Sequence, residues 1–136
     1  METQNAVHKP QSVVTAVNLL WAVLALELVK TPMHYFHLSA TGPAMLTKNY
    51  VPLAMAGLII LAFLIFTISS GKNWARITLL VMVVRTLFGV SGILDQFSWS
   101  PVHGIISVAQ VGLLVYAVFL LFTKPGSVWF RKVTAT

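Results

Sequence analysis

The stretch LLVMVVRTLFGV, residues 79–90, places a single arginine, Arg85, inside an otherwise apolar run. A guanidinium stays charged in proteins, and a charge near the middle of a bilayer costs about 2.5–3.5 kcal/mol on insertion scales. Residues of this kind usually face the interior of a helix bundle or a wet cavity, where they find a polar partner. The stretch therefore predicts a membrane helix whose arginine is held by side chains of neighbouring helices.

The composition of the whole chain indicates a membrane protein. Of its 136 residues, 57% are apolar and only 9% are charged, and the mean hydropathy is +0.85. Soluble domains carry about a quarter charged residues, so this chain lacks the polar side chains that would cover a water-facing surface. The length fits one domain. The sequence contains no cysteine, which excludes disulfides, iron–sulfur clusters and thiol chemistry.

Four segments are long and apolar enough to cross the ~30 Å hydrocarbon core as helices. We therefore expect an all-α fold, an integral membrane four-helix bundle that forms a single domain over 1–136. Between the first two spans we expect an interfacial outer loop over 30–49, with Asn49 as a candidate N-cap. Ser100 is a second candidate N-cap, and residues 123–136 are expected to form a cytoplasmic interfacial tail. The predicted spans are residues 12–29, 50–68, 74–94 and 101–122.

Lysine and arginine are distributed unevenly between the two sides of this predicted bundle. With the N-terminus in the cytoplasm, the opposite side carries only Lys30 and Lys48. Because cytoplasmic loops of membrane proteins are enriched in basic residues, both termini are expected to be cytoplasmic. The net charge of +6 then indicates contact with anionic headgroups rather than with nucleic acid. The cytoplasmic basic residues are Lys9, Lys72, Arg76, Lys124, Arg131 and Lys132.

The fourth predicted helix carries a polar face that could meet Arg85. Gln110 shares this face with Ser107 and His103. The third and fourth helices run antiparallel, and Arg85 and Gln110 each lie about nine residues, or ~13 Å, from the outer ends. Glu27 is the one carboxylate inside a predicted span, and it lies within reach if the first helix is a neighbour. We therefore predict a polar cluster of Arg85, Gln110, Glu27, Ser107 and His103.

The presence of these polar residues can also be explained by structural roles, without a ligand. Arg85 can act as a clamp that sets helix register without binding any ligand. Glu27 can pair with Lys30, which lies three residues away on the same face of the first helix. A polar face such as that of Gln110 also commonly serves hydrogen bonding between membrane helices.

The long connection contains two histidines, His34 and His37, which lie three residues apart. Together with Glu27 or His103 they could form a metal site or a pair of haem ligands at the outer surface. An aromatic-rich segment on the outer leaflet explains the same residues without a metal, and we favour that interpretation. We expect no cofactor, since no motif for zinc hydrolysis, phosphate binding or a nucleophilic triad occurs.

Three segments carry a resemblance to known proteins: KPQSVVTAVNLLW (9–21), GKNWARITLL (71–80) and LLFTKPGSVWFRK (120–132). They resemble parts of small bacterial inner-membrane proteins with four helices and no assigned function. The resemblance covers most of the chain, implies a multi-pass protein of the bacterial inner (cytoplasmic) membrane, and supplies no catalytic residues.

In outline the chain is also similar to small multidrug-resistance transporters, which have four short helices and an essential glutamate in the first. It departs from that pattern, because Glu27 lies near the outer end of its helix and Arg85 has no counterpart there. The strong charge bias also argues against dual topology.

Three classes of function follow. The first is a non-catalytic membrane partner, either an accessory subunit or an immunity-type inhibitor of a membrane-targeting toxin. The scarcity of acidic residues and the lack of a catalytic motif favour this class. The second is an oligomeric small transporter or channel with a polar path at Arg85 and Gln110. The third is a membrane enzyme or redox protein that uses His34 and His37. The expected partners are the lipid bilayer and another membrane protein or a second copy, not nucleic acid.

Overall fold

The computed structural model describes residues 9–124 and 126–135. Residues 1–8, Pro125 and Thr136 lie outside the described residues, so that part of the predicted cytoplasmic tail over 123–136 falls there. The described residues form six helices, namely α1 (Gln11–Thr41), α2 (Ala44–Ser69), α3 (Asn73–Phe88), α4 (Val90–Trp99), α5 (Pro101–Phe122) and α6 (Gly126–Ala135).

Three of these helices, α1, α2 and α5, are each long and apolar enough to cross a membrane. The short helices α3 and α4 meet that criterion only together, as one bent pair. The described part of the chain is therefore all-helical and has three candidate membrane spans, or four if the bent pair counts as one.

The predicted outer loop over 30–49 is wrong. α1 continues to Thr41 and α2 already begins at Ala44, so the connection shrinks to a two-residue turn. Asn49, the expected N-cap of the second span, lies inside α2. With 31 residues, α1 is about 46 Å long at 1.5 Å per residue, which exceeds the ~30 Å hydrocarbon core of a bilayer.

The two prolines of this region act differently. Pro32 lies inside α1, where it removes one backbone donor, a loss that membrane helices tolerate when side chains bond the freed groups. The missing N–H of Pro32 frees the carbonyl oxygen of Leu28. Directly before the proline, the hydroxyl of Thr31 donates to the adjacent carbonyl oxygen of Glu27 at 2.8 Å. Pro43, by contrast, follows a glycine, and a residue before proline is driven to extended backbone. Gly42 adopts this conformation (φ −99°, ψ 167°), and α1 ends there.

The predicted third span over 74–94 is not one straight helix. It breaks at Gly89, and the axes of Asn73–Phe88 and Ser91–Trp99 differ by 62°. The Gly89 N–H donates to the carbonyl oxygen of Thr86 at 3.0 Å, which closes a turn in place of the next helical hydrogen bond. The break redirects the chain, and α4 extends five residues beyond the predicted end of this span.

The helix α6 packs against α3 and α5, at the end of the helices where α3 begins. Lys9, just before α1, donates to Ser69 Oγ of α2 at 2.9 Å. Arg76 of α3 donates through Nη1 to the carbonyl oxygen of Leu121 in α5 at 3.0 Å. The fully buried ring of Phe130 in α6 lies 4.8 Å below the same guanidinium. Much of the predicted tail is thus a docked helix, not a segment that only rests on headgroups.

The helix α5 organises the interior. It covers the predicted range 101–122, and Ser100 caps it by accepting a hydrogen bond from the backbone N–H of His103 at 3.3 Å. It contacts α1, α3, α4 and α6. The apolar core lies among α1, α2, α3, α5 and α6, with Leu20, Ile65, Leu79 and Leu121 almost completely buried.

Gly104 provides the close contact between α5 and α4. A methyl group there would lie 2.6 Å from the first ring carbon of Phe97, at the base of the ring. We expect Gly104→Ala to lower the free energy of unfolding by about 1–3 kcal/mol, the usual cost of overpacking. Gly112→Ala on the same helix is the control, because no atom lies within 4 Å of its added methyl group. Thermal unfolding in one detergent compares the two, and equal stability would contradict this packing of α4.

Candidate binding site in the helix bundle

Gln110, on α5, joins the charged residues of α1. It is 5% exposed. Its carbonyl oxygen accepts a hydrogen bond from Lys30 Nζ at 2.6 Å. Its amide nitrogen donates to Glu27 Oε2 at 2.8 Å and to the carbonyl oxygen of Val23 at 3.2 Å. One glutamine thus ties α5 to α1 and supplies the hydrogen bonds that buried polar groups require.

Glu27 and Lys30 also form an ion pair, with Nζ and Oε2 separated by 3.6 Å. The Lys30 side chain is 14% exposed and that of Glu27 is 41% exposed. The lysine therefore points into the bundle while the carboxylate borders open space. This is the pairing that the sequence offered as a structural explanation of Glu27, and Gln110 of α5 bonds both of its members.

Ser107 and His103, one turn apart on α5, share a partner on α4. The side-chain oxygen of Gln96 accepts a hydrogen bond from Ser107 Oγ and lies 2.8 Å from His103 Nδ1. Sequence reasoning placed Ser107 and His103 on the polar face of this helix but missed Gln96, because the predicted third span ended at residue 94. The helix-compatible run that continues to Trp99 is the signal that could have found it.

Arg85 is not part of this cluster. It lies on the exposed side of α3, in the last turn of the helix. The described residues form no hydrogen bond or ion pair with it, so the predicted contacts of Arg85 with Gln110 and Glu27 are wrong. Lys30 takes the place that the sequence assigned to Arg85. The ammonium of Lys30, on α1, donates to the side-chain oxygen of Gln110, which is the acceptor that Arg85 was expected to use.

The two histidines of the predicted loop lie on α1 among aromatic rings. His37 stacks on Trp99 with ring centroids 3.8 Å apart. His34 lies 5.0 Å from Tyr50 and 5.8 Å from His103, measured between centroids. Within residues 9–124 and 126–135, no group of three or more His, Asp or Glu side chains is placed to hold a metal ion. Ring contacts thus connect α1, α2, α4 and α5 at this end.

Glu27 lies where three cavities meet. The first, of about 270 Å³, is mostly apolar and lies among α1, α2, α3 and α5. The second, of about 280 Å³, is polar and is lined by Lys30, Gln96, Ser107 and Gln110. Glu27, Thr86 and Leu114 line both of these cavities. A third, of about 190 Å³, shares Glu27, Lys30 and Gln96 and extends to His34, Tyr50 and His103.

Comparison with known proteins identifies no family for this chain. No family model, no curated protein and no solved structure matches it. Its function is therefore argued from the geometry and charge of the residues described above.

The bridging role of Gln110 can be tested by removing its amide. We expect Gln110→Leu to lower the free energy of unfolding by about 1–3 kcal/mol, because the largely buried ammonium of Lys30 and the carbonyl oxygen of Val23 each lose a hydrogen bond. Val108→Leu is the control, since Val108 lies on the same helix and is 52% exposed. Denaturant unfolding in one detergent measures both variants. If Gln110→Leu matches the wild type, the amide does not hold α5 to α1.

Proposed function

We propose that this protein is a non-catalytic, multi-pass protein of the bacterial inner membrane that binds another membrane protein through Arg85. It then serves as an accessory subunit of a complex or as an immunity-type inhibitor of a membrane-targeting toxin. The observation that carries the proposal is the position of Arg85, which is exposed within a candidate span and has no hydrogen-bonding or ionic partner among the described residues.

The position of Arg85 along α3 makes it favourable for the guanidinium to bind a partner protein. It lies twelve residues after Asn73, which is about 18 Å along α3. A charge facing hydrocarbon there costs about 2.5–3.5 kcal/mol on insertion scales. The carbonyl groups at the end of α3 carry partial negative charge and offset part of this cost. A carboxylate on a partner helix would offset more, since it can bond the guanidinium through two parallel hydrogen bonds.

The surroundings of Arg85 fit a helical partner. Val81 and Phe88 lie four residues before it and three residues after it, on the same side of α3, and are 63% and 86% exposed. These three residues, which we name the Arg85 face, combine a central charge with apolar contacts. A transmembrane helix that carries one acidic residue among apolar ones would complement them.

Two contacts described above support a four-span topology with both termini in the cytoplasm. Arg76, at the start of α3, reaches Leu121 near the end of α5, whereas Trp99, at the end of α4, stacks on His37 at the far end of α1. We propose on this basis that the bent α3–α4 pair crosses the membrane as one span. The bias of basic residues toward the Arg76 end supports the cytoplasmic assignment of that end.

Reporter fusions test this topology. A reporter placed after Thr136 should give a cytoplasmic signal, and one inserted at Gly42 should give an extracytoplasmic signal. The opposite result at Thr136 would mean that the α3–α4 pair re-enters the side from which it came, or that the whole chain is inverted.

The two other classes of function have less support. A transporter path through Arg85 and Gln110 needs the two side chains to line one space, but Gln110 lines the polar cavity and Arg85 does not. A redox role for His34 and His37 needs ligand geometry, but His37 stacks face to face on the indole of Trp99.

Photo-crosslinking tests the proposed partner. A benzophenone amino acid in place of Phe88 should form one heteromeric adduct in native membranes, and the same label in place of Phe119 should not. Phe119 is a fair control because it is also an exposed phenylalanine, on α5. Arg85→Leu should remove the adduct and Arg85→Lys should retain part of it. The isolated Arg85→Leu protein should be about as stable as the wild type, since Arg85 forms no hydrogen bond or ion pair with the described side chains.

Other outcomes would contradict the proposal. An adduct that survives Arg85→Leu would show that the charge does not recruit the partner. A homodimeric adduct would assign the Arg85 face to a second copy, in which the exposed Asp95 offers a carboxylate. In both cases the accessory-subunit function would lose its basis.

A further inference from the structure

The apolar and polar cavities meet at Glu27. The polar groups at this junction take no part in the binding that we propose for the Arg85 face. One side of the junction consists of aliphatic side chains, among them Leu58, Leu61 and Met82. The other side contains an ion pair and two amides. A space that changes from apolar to polar over the length of one molecule matches an amphipathic ligand.

Several polar groups at this junction remain available. The Lys30 ammonium has three donor hydrogens, of which one serves Gln110 and one points toward Glu27 Oε2. Gln96 receives hydrogen bonds on its oxygen, while its amide nitrogen bonds no side chain or backbone group within the described ranges. Both contacts of Glu27 use Oε2, which leaves Oε1 as an acceptor. The junction thus offers donors from two residues and one acceptor.

We propose that this junction binds a single-chain amphipathic molecule with an uncharged, hydrogen-bonding head. The head lies in the polar cavity, where its oxygens accept hydrogen bonds from Lys30 and Gln96 and a hydroxyl group donates to Glu27. The tail lies in the apolar cavity between α2 and α3. Alkyl glycerols and alkyl hydroquinones share this chemistry, and the site does not depend on the partner proposed for Arg85.

The charges at the junction determine that the head is neutral. Glu27 and Lys30 balance each other at 3.6 Å. A cationic head would face the ammonium of Lys30, and an anionic head would face the carboxylate of Glu27. In either case one charge would remain uncompensated in a low-dielectric site, which is strongly unfavourable. A neutral head leaves the ion pair intact and adds hydrogen bonds to it.

The apolar cavity is open to an entering chain. Its lining includes Gly57 of α2 and Met82 of α3, both of which are exposed. A methyl group built on Gly57 would meet no atom within 4 Å, so the space beside this glycine is unfilled. An alkyl chain can therefore enter between α2 and α3 directly from the hydrocarbon of the bilayer.

Ligands that share one decyl chain and differ only in the head test the proposal. Purified full-length protein would be incubated with 1-decylglycerol, decylhydroquinone, decanoate or decyltrimethylammonium, and the retained adducts counted by native mass spectrometry. We expect one molecule of a neutral ligand per chain, retained at least about tenfold more than either charged ligand, a difference of ~1.4 kcal/mol. Retention of decylglycerol alone indicates a glycerolipid head, and retention of decylhydroquinone alone a quinol head.

Gly57→Leu tests whether the neutral ligand binds in the apolar cavity or adsorbs non-specifically to the protein, as a detergent does. The leucine side chain fills the apolar cavity at a position that does not touch the ion pair, so retention of the neutral ligand should fall about tenfold. Gly112→Leu is the matched control, because a Cβ atom built at Gly112 also meets no atom within 4 Å and Gly112 does not line the cavities described above. Equal retention by both variants would overturn the proposal.

Charge variants test the reason for neutrality. Lys30→Met leaves the carboxylate unbalanced, so the preference should shift to decyltrimethylammonium. Glu27→Gln leaves the ammonium unbalanced, so the preference should shift to decanoate. If these two variants keep the preference of the wild type, or if the wild type retains charged and neutral ligands equally, the proposal is wrong. If Lys30→Met does not fold, two comparisons still test the proposal. One is Gly57→Leu against Gly112→Leu, and the other is the retention of the four decyl ligands by the wild type.

Discussion

Between packed apolar helices no bulk water completes the hydrogen bonds of a side chain, and the amide of Gln110, which is 5% exposed, meets this constraint for two charges of α1. It accepts from Lys30 and donates to Glu27, so the ion pair can lie inside the assembly. This bridge fixes α1 against α5, the helix that also contacts α3, α4 and α6. The cavities that border Glu27 exist because the bridged charges stand between apolar helices that do not fill the space beside them.

The two arginines of α3 differ in their surroundings, according to their position along the helix. Arg76, near the start of the helix, is 8% exposed and bonds Asn73 and the carbonyl oxygen of Leu121, with two aromatic rings beside it. Its contacts are complete within the chain, so its role is structural. Arg85, nine residues further on, is exposed and lacks such contacts among the described residues. This contrast on one helix is the reason for our proposal that Arg85 binds a molecule outside the chain.

Hydropathy and local signals identify much of this fold. The α5 range and its Ser100 cap follow from a serine–proline start and an apolar run, and the shared face of His103, Ser107 and Gln110 follows from helical spacing. The continuation of α1 past Pro32 could not be predicted in the same way, because it depends on a tolerated loss of one hydrogen bond. The pairing of Lys30 with Glu27 follows from helical spacing, but the hydrogen bond of Lys30 to Gln110 depends on how α1 packs against α5 and was missed. Gln96 was missed because the bend at Gly89 carries α4 back onto α5.

Gln110 pairs with the charges of α1 and not with Arg85, and a pair of double-mutant cycles measures both couplings. The free energy of unfolding is measured for Lys30→Met, Arg85→Leu, Gln110→Leu and the two double variants that contain Gln110→Leu. We predict a coupling energy of about 1–2 kcal/mol between Lys30 and Gln110, and one within roughly 0.5 kcal/mol of zero between Arg85 and Gln110. Strong coupling of Gln110 to Arg85, together with none to Lys30, would contradict this account.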